Sequence, residues 1–321
     1  MGDSDGTKMQ AKIWSEELIK RGHSVQYINP WNGYDWRKFD IIHVFGFGLW
    51  NYDLIHWGSR LNSNFVFSPI IDSNTPIWKY KLATYFGCSK LRLYSQNYML
   101  RCLKSDIKHF YARSKYEMLY LTEGYGIEEK NISLVPLSYR SELYDYTIKK
   151  KPFCLFIGTM TQERKNVNRL IMAAKKYNFN LKLVGNIGNN ESNQRIRNLI
   201  GESDNIEILG FVTDEELNRL YDEAKVFALP SLNEGVGLVA LEAAMHNCNI
   251  VITKLGGPKE YYGDKAYLVN PYDIDDIGNS ILNALEDDCQ QPLLMSHIKN
   301  NYNLKVCIDK LESSYSMIAD K

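Results

Sequence analysis

Residues 150–290 alternate short apolar runs with amphipathic stretches, and this alternation limits the fold more than any other feature of the chain. Residues 153–157, Phe-Cys-Leu-Phe-Ile, form a continuous apolar run of the kind that makes a strand buried on both faces. A polar loop follows, then Val167, Leu170, Ile171 and Ala174 at spacing i, i+3, i+4, i+7, which is one stripe of a helix. Further strands are expected at 181–184, 206–209, 226–229, 250–253 and 266–269. Thr213 with Glu216 makes a capping box ahead of a helix carrying Leu217, Leu220, Tyr221 and Ala224. Helices are also expected at 238–245 and 277–285. Repeated βα units imply an α/β class with a parallel, doubly wound sheet. Ligands of such sheets sit beyond the carboxyl ends of the strands. The loops that matter are therefore 158–166, 185–192, 210–214, 230–237 and 254–260.

The first half is less regular. A helix over 11–21 ends at Gly22, and strands are expected at 25–28, 41–45 and 65–67. Residues 132–136 close this domain, Lys149-Lys150-Lys151-Pro152 reads as a linker, and 304–318 is helical. A Rossmann-like half should open on a strand, yet this one opens on the glycine loop from Gly2 to Gly6 and its helix, so its first strand looks missing. The expected domains are 1–148, 149–295, and a C-terminal helix at 296–321 that packs back toward the first.

The chain shows no apolar run long enough to span a bilayer and no secretory h-region at its start. Six scattered cysteines without a Cys-x-x-Cys pair argue against a disulfide framework or zinc site, so a reducing, cytoplasmic setting is expected. Net charge is zero but uneven. Residues 1–150 hold 20 Lys/Arg against 15 Asp/Glu, while the remainder holds 18 against 23. Between positions 76 and 115 stand nine basic residues (Lys79, Lys81, Lys90, Arg92, Arg101, Lys104, Lys108, Arg113, Lys115) and one acid, Asp106. Trp78, Tyr80, Tyr85, Phe86, Tyr94 and Tyr98 are interleaved among them. This stretch is either a solvated face over an aromatic core or a peripheral contact for anionic membrane or a lipid diphosphate. A neutral chain without a nucleic-acid-binding motif argues against nucleic acid.

The strongest chemical signal is Ser231-Leu-Asn-Glu234-Gly235-Val236-Gly237-Leu238-Val-Ala-Leu-Glu242. It follows a strand and runs into a helix. Gly235 and Gly237 let backbone approach a ligand, and the helix start offers free N–H groups to a phosphate. Glu234 and Glu242 can accept hydrogen bonds from sugar and ribose hydroxyls. A second signal is Gly158-Thr159-Met-Thr-Gln-Glu-Arg164-Lys165-Asn166, whose adjacent cations suit a diphosphate.

These motifs resemble the family-four (group 1) retaining glycosyltransferases with the GT-B fold, which carry a Glu-x7-Glu motif here. The resemblance is specific over 150–290 and looser over 1–150. It implies two Rossmann-like domains with a ligand cleft between them. It implies that Glu234 contacts the transferred sugar, Glu242 holds the ribose, and the amides of 236–238 contact sugar and diphosphate. Basic residues of the Gly158-Thr159 loop would bind the leaving diphosphate, with Arg164 and Lys165 not distinguished because the loop is one residue longer than usual. The turn around Phe211 would read the base through its backbone, and Gly6 would approach the donor phosphates. Lys254-Leu-Gly256-Gly257 resembles a segment that shapes the donor pocket. His43 follows Asp40-Ile-Ile as in the family, but the usual histidine of the next strand-end loop is absent, and Asp72 stands in that loop.

The expected donor is thus a nucleoside diphosphate sugar and the acceptor a glycan or lipid-linked hydroxyl in surface-polysaccharide synthesis. No metal cofactor is expected, because Asp273-x-Asp275 opens a helix and is explained by capping. A sugar-nucleotide epimerase and a non-catalytic partner subunit remain open as alternatives at this point.

Overall fold

The computed structural model describes residues 6–29, 31–46, 48–88, 95–139, 148–287 and 290–319. It divides into two compact units, Met1–Leu137 with Leu304–Lys321, and Ser138–Asn303. The expected glycine at position 2 and the basic or aromatic residues Lys90, Arg92 and Tyr94 lie outside the described residues. Among the described residues no helix is long and apolar enough to cross a membrane.

The N-terminal unit runs α1 (Gly6–Lys20), β1 (Ile42–Phe45), α2 (Leu49–Gly58), β2 (Phe65–Ser68), α3 (Ile77–Ala83), α4 (Gln96–Leu103), β3 (His109–Ala112), α5 (Lys115–Leu119) and β4 (Ile132–Leu134). Its sheet is parallel, in the order β1-β2-β3-β4. The strand period of two sends Phe65, Phe67 and Phe110 into one core layer, with Ile55 and Leu103. It sends Val66 and Tyr111 into the other, where Trp14 and Leu18 of α1 meet Ile308 and Leu311 of the last helix, Leu304–Ala319.

Residues 25–28 do not form the expected strand. Tyr27 and Ile28 are exposed. A cavity of about 1450 Å³ is lined by Val25 and Tyr27 on one side and by Ile42, Val44 and Trp14 on others. A strand is stabilised by a neighbour's hydrogen-bond ladder, and residues 25–28 pair with no strand among the described residues. Among the described residues, β1 pairs only with β2. Strand β3 was not anticipated, because His109 and Tyr111 break up its apolar pattern.

The C-terminal unit holds β5 (Lys151–Ile157), α6 (Val167–Tyr177), β6 (Leu181–Val184), α7 (Asn190–Ile200), β7 (Ile206–Gly210), α8 (Asp214–Glu223), β8 (Ala224–Leu229), α9 (Leu238–Met245), β9 (Asn249–Thr253), α10 (Pro258–Tyr262), β10 (Tyr267–Val269), α11 (Ile274–Glu286) and α12 (Gln290–Asn301). The helix Leu304–Ala319, α13, belongs to the first unit. Six parallel strands stand in the order β10-β9-β8-β5-β6-β7. The strand order therefore reverses between β5 and β8, and at such a reversal ligands of doubly wound sheets bind beyond the carboxyl ends. The linker expected at 149–152 is part of this unit instead. Lys151 opens β5, and the Lys150 ammonium donates to the backbone carbonyl of Tyr221 at 2.9 Å.

Candidate active site

The two loops flanking the switch point are those after β5 and β8, and they carry Arg164, Lys165 and Glu234. The three side chains converge. Lys165 Nζ donates to Glu234 Oε2 at 3.0 Å, and Arg164 Nη1 donates to the same oxygen at 3.3 Å. Ser231 Oγ donates to it as well, at 2.9 Å. Both cations reach the carboxylate, so the loop's extra residue does not force a choice between them. Arg164 Nη1 also donates to the carbonyl of Asn233 at 3.0 Å, and its own carbonyl accepts from Leu232 N at 2.8 Å. The loops are thereby laced together through main chain and side chain.

Burial alone would push the Glu234 carboxyl upward. Lys165 and Arg164 beside it, helped by the Ser231 hydroxyl, outweigh that and hold it below the ordinary carboxylate range. Arg164 is the outward member, with 38% of its side chain exposed against 14% for Lys165.

Asn166, next in the loop, sits at φ 59°, a left-handed conformation that asparagine tolerates better than most residues. Its buried amide donates to the carbonyls of Pro230 (2.8 Å) and Pro271 (2.7 Å), tying together the loops after β5, β8 and β10. The Glu234 backbone is held by Leu255 and Gly257. A Cβ on Gly256, at φ 102°, would lie 2.0 Å from the Glu234 carbonyl oxygen, so only glycine allows this approach.

Gly235 and Val236 are buried beneath the turn. Gly237 caps α9 at φ 82° with no side chain to satisfy the first-turn N–H groups, which begin at Leu238. Glu242 is buried on α9 and accepts from the Tyr221 hydroxyl at 3.3 Å. Tyr262 donates to the Gly237 carbonyl at 3.0 Å. Burial raises its hydroxyl well above the ordinary range, and the nearby Glu234 and Glu242 add to the shift. Gly158 follows β5, and the Thr159 carbonyl accepts from Gln162 N at 3.3 Å.

Other anticipated residues stand elsewhere. Phe211 follows β7 at the sheet's edge and is 80% exposed. Gly6 opens α1 in the other unit. His43 is a packed histidine. Its Nε2 shares a hydrogen bond with Ser68 Oγ at 2.9 Å, Nδ1 meets Tyr315 OH, and the ring stacks on Phe45 at 4.0 Å. Desolvation lowers its pKa to about 3, which keeps the ring neutral. Asp72 accepts from Arg113 at 2.8 Å, and Arg113 also pairs with buried Glu117, so Asp72 fastens its loop to α5. Asp273 accepts from the backbones of Asp275 and Asp276 as the N-cap of α11.

The C-terminal unit is a doubly wound α/β unit with a charged switch point, and the N-terminal unit is a second, smaller unit with its own parallel sheet. The family model of the group 1 glycosyl transferases matches residues 145–304, most of that C-terminal unit. The O-antigen chain mannosyltransferase B of Escherichia coli is 32% identical over 155 residues, 46% of this chain and 40% of that protein. The chain spans less than half the length of the curated relatives it matches. A solved glycosyltransferase from Rickettsia africae superposes with a TM-score of 0.67 at 17% identity, covering 99% of this chain and 83% of that one. WaaG, a glycosyltransferase involved in lipopolysaccharide biosynthesis, superposes with a TM-score of 0.65 at 15% identity, covering 99% of this chain and 97% of that one. At such identities the likeness is one of fold, the GT-B fold with two Rossmann-like units.

Proposed function

We propose that the chain transfers a sugar from a nucleoside diphosphate sugar to a hydroxyl of a glycan or lipid-linked acceptor, with retention of configuration, during surface-polysaccharide synthesis. The observation that supports this reading is the meeting of Arg164 and Lys165 on Glu234 at the switch point of the C-terminal sheet. The two cations and the uncapped start of α9 stabilise negative charge on the departing diphosphate, which is electrostatic catalysis by groups already in place. Glu234 keeps the cations aligned and offers its carboxylate to the transferred sugar. Glu242 accepts from the ribose. In this reading Arg164 and Lys165 supply the charge that a metal gives other transferases, so no metal is required.

The names of relatives, including the E. coli mannosyltransferase, make a mannosyl donor the first to try. A cytoplasmic enzyme at the inner face of the membrane, touching anionic lipid through 76–115, fits a lipid-linked acceptor.

The test is sugar transfer from a panel of uridine, guanosine and adenosine diphosphate sugars, with and without chelator. Glu234→Gln is expected to lower turnover by about 10²–10³-fold, the usual effect of losing one preorganised electrostatic group. Turnover equal to wild type in Glu234→Gln overturns the reading.

A further inference from the structure

The basic stretch at 76–115 changes character once its side chains are placed. Four of its cations bond within the fold. Arg101 donates to Thr84 Oγ1 at 2.6 Å and to the Gly124 carbonyl at 2.9 Å. Lys104 donates to the Tyr125 carbonyl at 3.0 Å, and Lys108 to Asn64 and Ile318. Arg113 is the buried partner of Glu117 and Asp72.

The outward feature is apolar. Trp78 (62%), Leu82 (53%), Tyr85 (57%) and Phe86 (74%) are all exposed. Their spacing is i, i+4, i+7, i+8, one side of a helix. Helix α3 continues as a turn to Phe86, because Tyr85 N donates to the Leu82 carbonyl (2.9 Å) and Phe86 N to that of Ala83 (3.3 Å). Lys79 and Lys81, both exposed, flank this side. The opposite side carries Tyr80, buried against Tyr120 and Tyr125 with ring separations of 4.7 and 5.8 Å. Arg101 stacks 3.7 Å over the Tyr85 ring and so holds the end of the turn on the body of the unit.

We infer that the surface Trp78–Leu82–Tyr85–Phe86 is a wedge that enters the headgroup layer of an anionic membrane. This rests on the membrane contact proposed above and specifies it as apolar insertion rather than charge alone. An outward apolar side edged by lysines is the pattern of interfacial helices. Tryptophan and tyrosine favour the depth where ring and headgroup meet. The sequence between Asp72 and Asp106 contains no acid, so nothing there repels an anionic surface.

The experiment is co-sedimentation of the full chain with vesicles of phosphatidylethanolamine and phosphatidylglycerol, alongside phosphatidylcholine alone. Wild type is expected to bind the anionic vesicles and to keep a bound fraction at high salt. Trp78→Ser/Phe86→Ser is expected to lower partitioning by about tenfold or more, since two rings no longer leave water. Leu82→Glu, on the same side, should act likewise, while Trp31→Ser, at another exposed tryptophan, should change nothing. Normal binding by the double variant, with loss only in Lys79→Ala/Lys81→Ala, overturns the wedge and leaves the charge contact standing. No binding by wild type overturns both and leaves sugar transfer untouched. A shift in oligomeric state of the lipid-free double variant also overturns it, by showing that a second copy covers the surface.

Discussion

The two sheets of this molecule obey the same rules and differ in completeness. The C-terminal sheet has six parallel strands, and its reversal point lies between the interior strands β5 and β8. Loops from both meet there, cross-linked by Asn166 and by Arg164, Lys165 and Glu234. Among the described residues the N-terminal sheet has four strands, and its edge strand β1 lines a cavity of about 1450 Å³. Its polar side chains act as fasteners. His43, Asp72 and Arg113 hold elements together, although the first two occupy positions that a family likeness marks as functional. Interior strands with two neighbours give a rigid platform for chemistry, whereas the N-terminal unit adds buried polar pairs to its apolar core layers.

The largest expected effect is in the N-terminal unit. Arg113→Ala strands Glu117 as a buried, uncompensated charge, a loss of about 3–5 kcal/mol for breaking such a pair. Hydrogen exchange should show β1–β4 opening while β5, β8 and β9 stay protected. Equal loss in both units would break the contrast.

Gly256→Ala addresses the other side. The added carbon would meet the Glu234 carbonyl at 2.0 Å, so the loop must shift, at about 1–3 kcal/mol for a strained backbone position. Donor turnover should fall further than the melting temperature does.

Acid should separate the units next. His43 is held neutral with a folded pKa of about 3, against about 6.5 unfolded. As pH falls below 6.5 the unfolded chain takes up that proton first, so N-terminal stability declines between about pH 6.5 and 3. Glu234 is lowered from 4.5, so its contribution is present above that value and is lost only as pH falls below it. Unit-resolved exchange against pH should therefore show the N-terminal unit failing first, and His43→Gln should flatten its decline.

The smallest effect is expected from Thr213→Ala, which removes one capping box from α8 at about 1 kcal/mol. A thermal melt should show the C-terminal transition alone moving.

The same contrast explains what the sequence could reveal. Strands buried on both faces, such as 153–157 and 250–253, read as continuous apolar runs, and each was recognisable alone. Residues 25–28 have a strand-like pattern, but a strand is a property of a pair, and among the described residues they have no partner strand. Glu234, Arg164 and Lys165 were legible because glycine-bearing loops after strands announce themselves. Asn166 also carries a sequence signal, since an asparagine at a loop-to-helix junction suits the left-handed conformation it adopts. Tyr221 and Tyr262 carried none, since they reach Glu242 and Gly237 only through the folded sheet.

The central claim is that the loops after β5 and β8 hold a pyrophosphate. The most direct measurement is calorimetric titration of the protein with uridine, guanosine and adenosine diphosphates. The account predicts that one of them binds wild type and that Arg164→Ala/Lys165→Ala weakens it about 100-fold or more, as loss of two charge-assisted contacts should. Unchanged affinity in the double variant would contradict it.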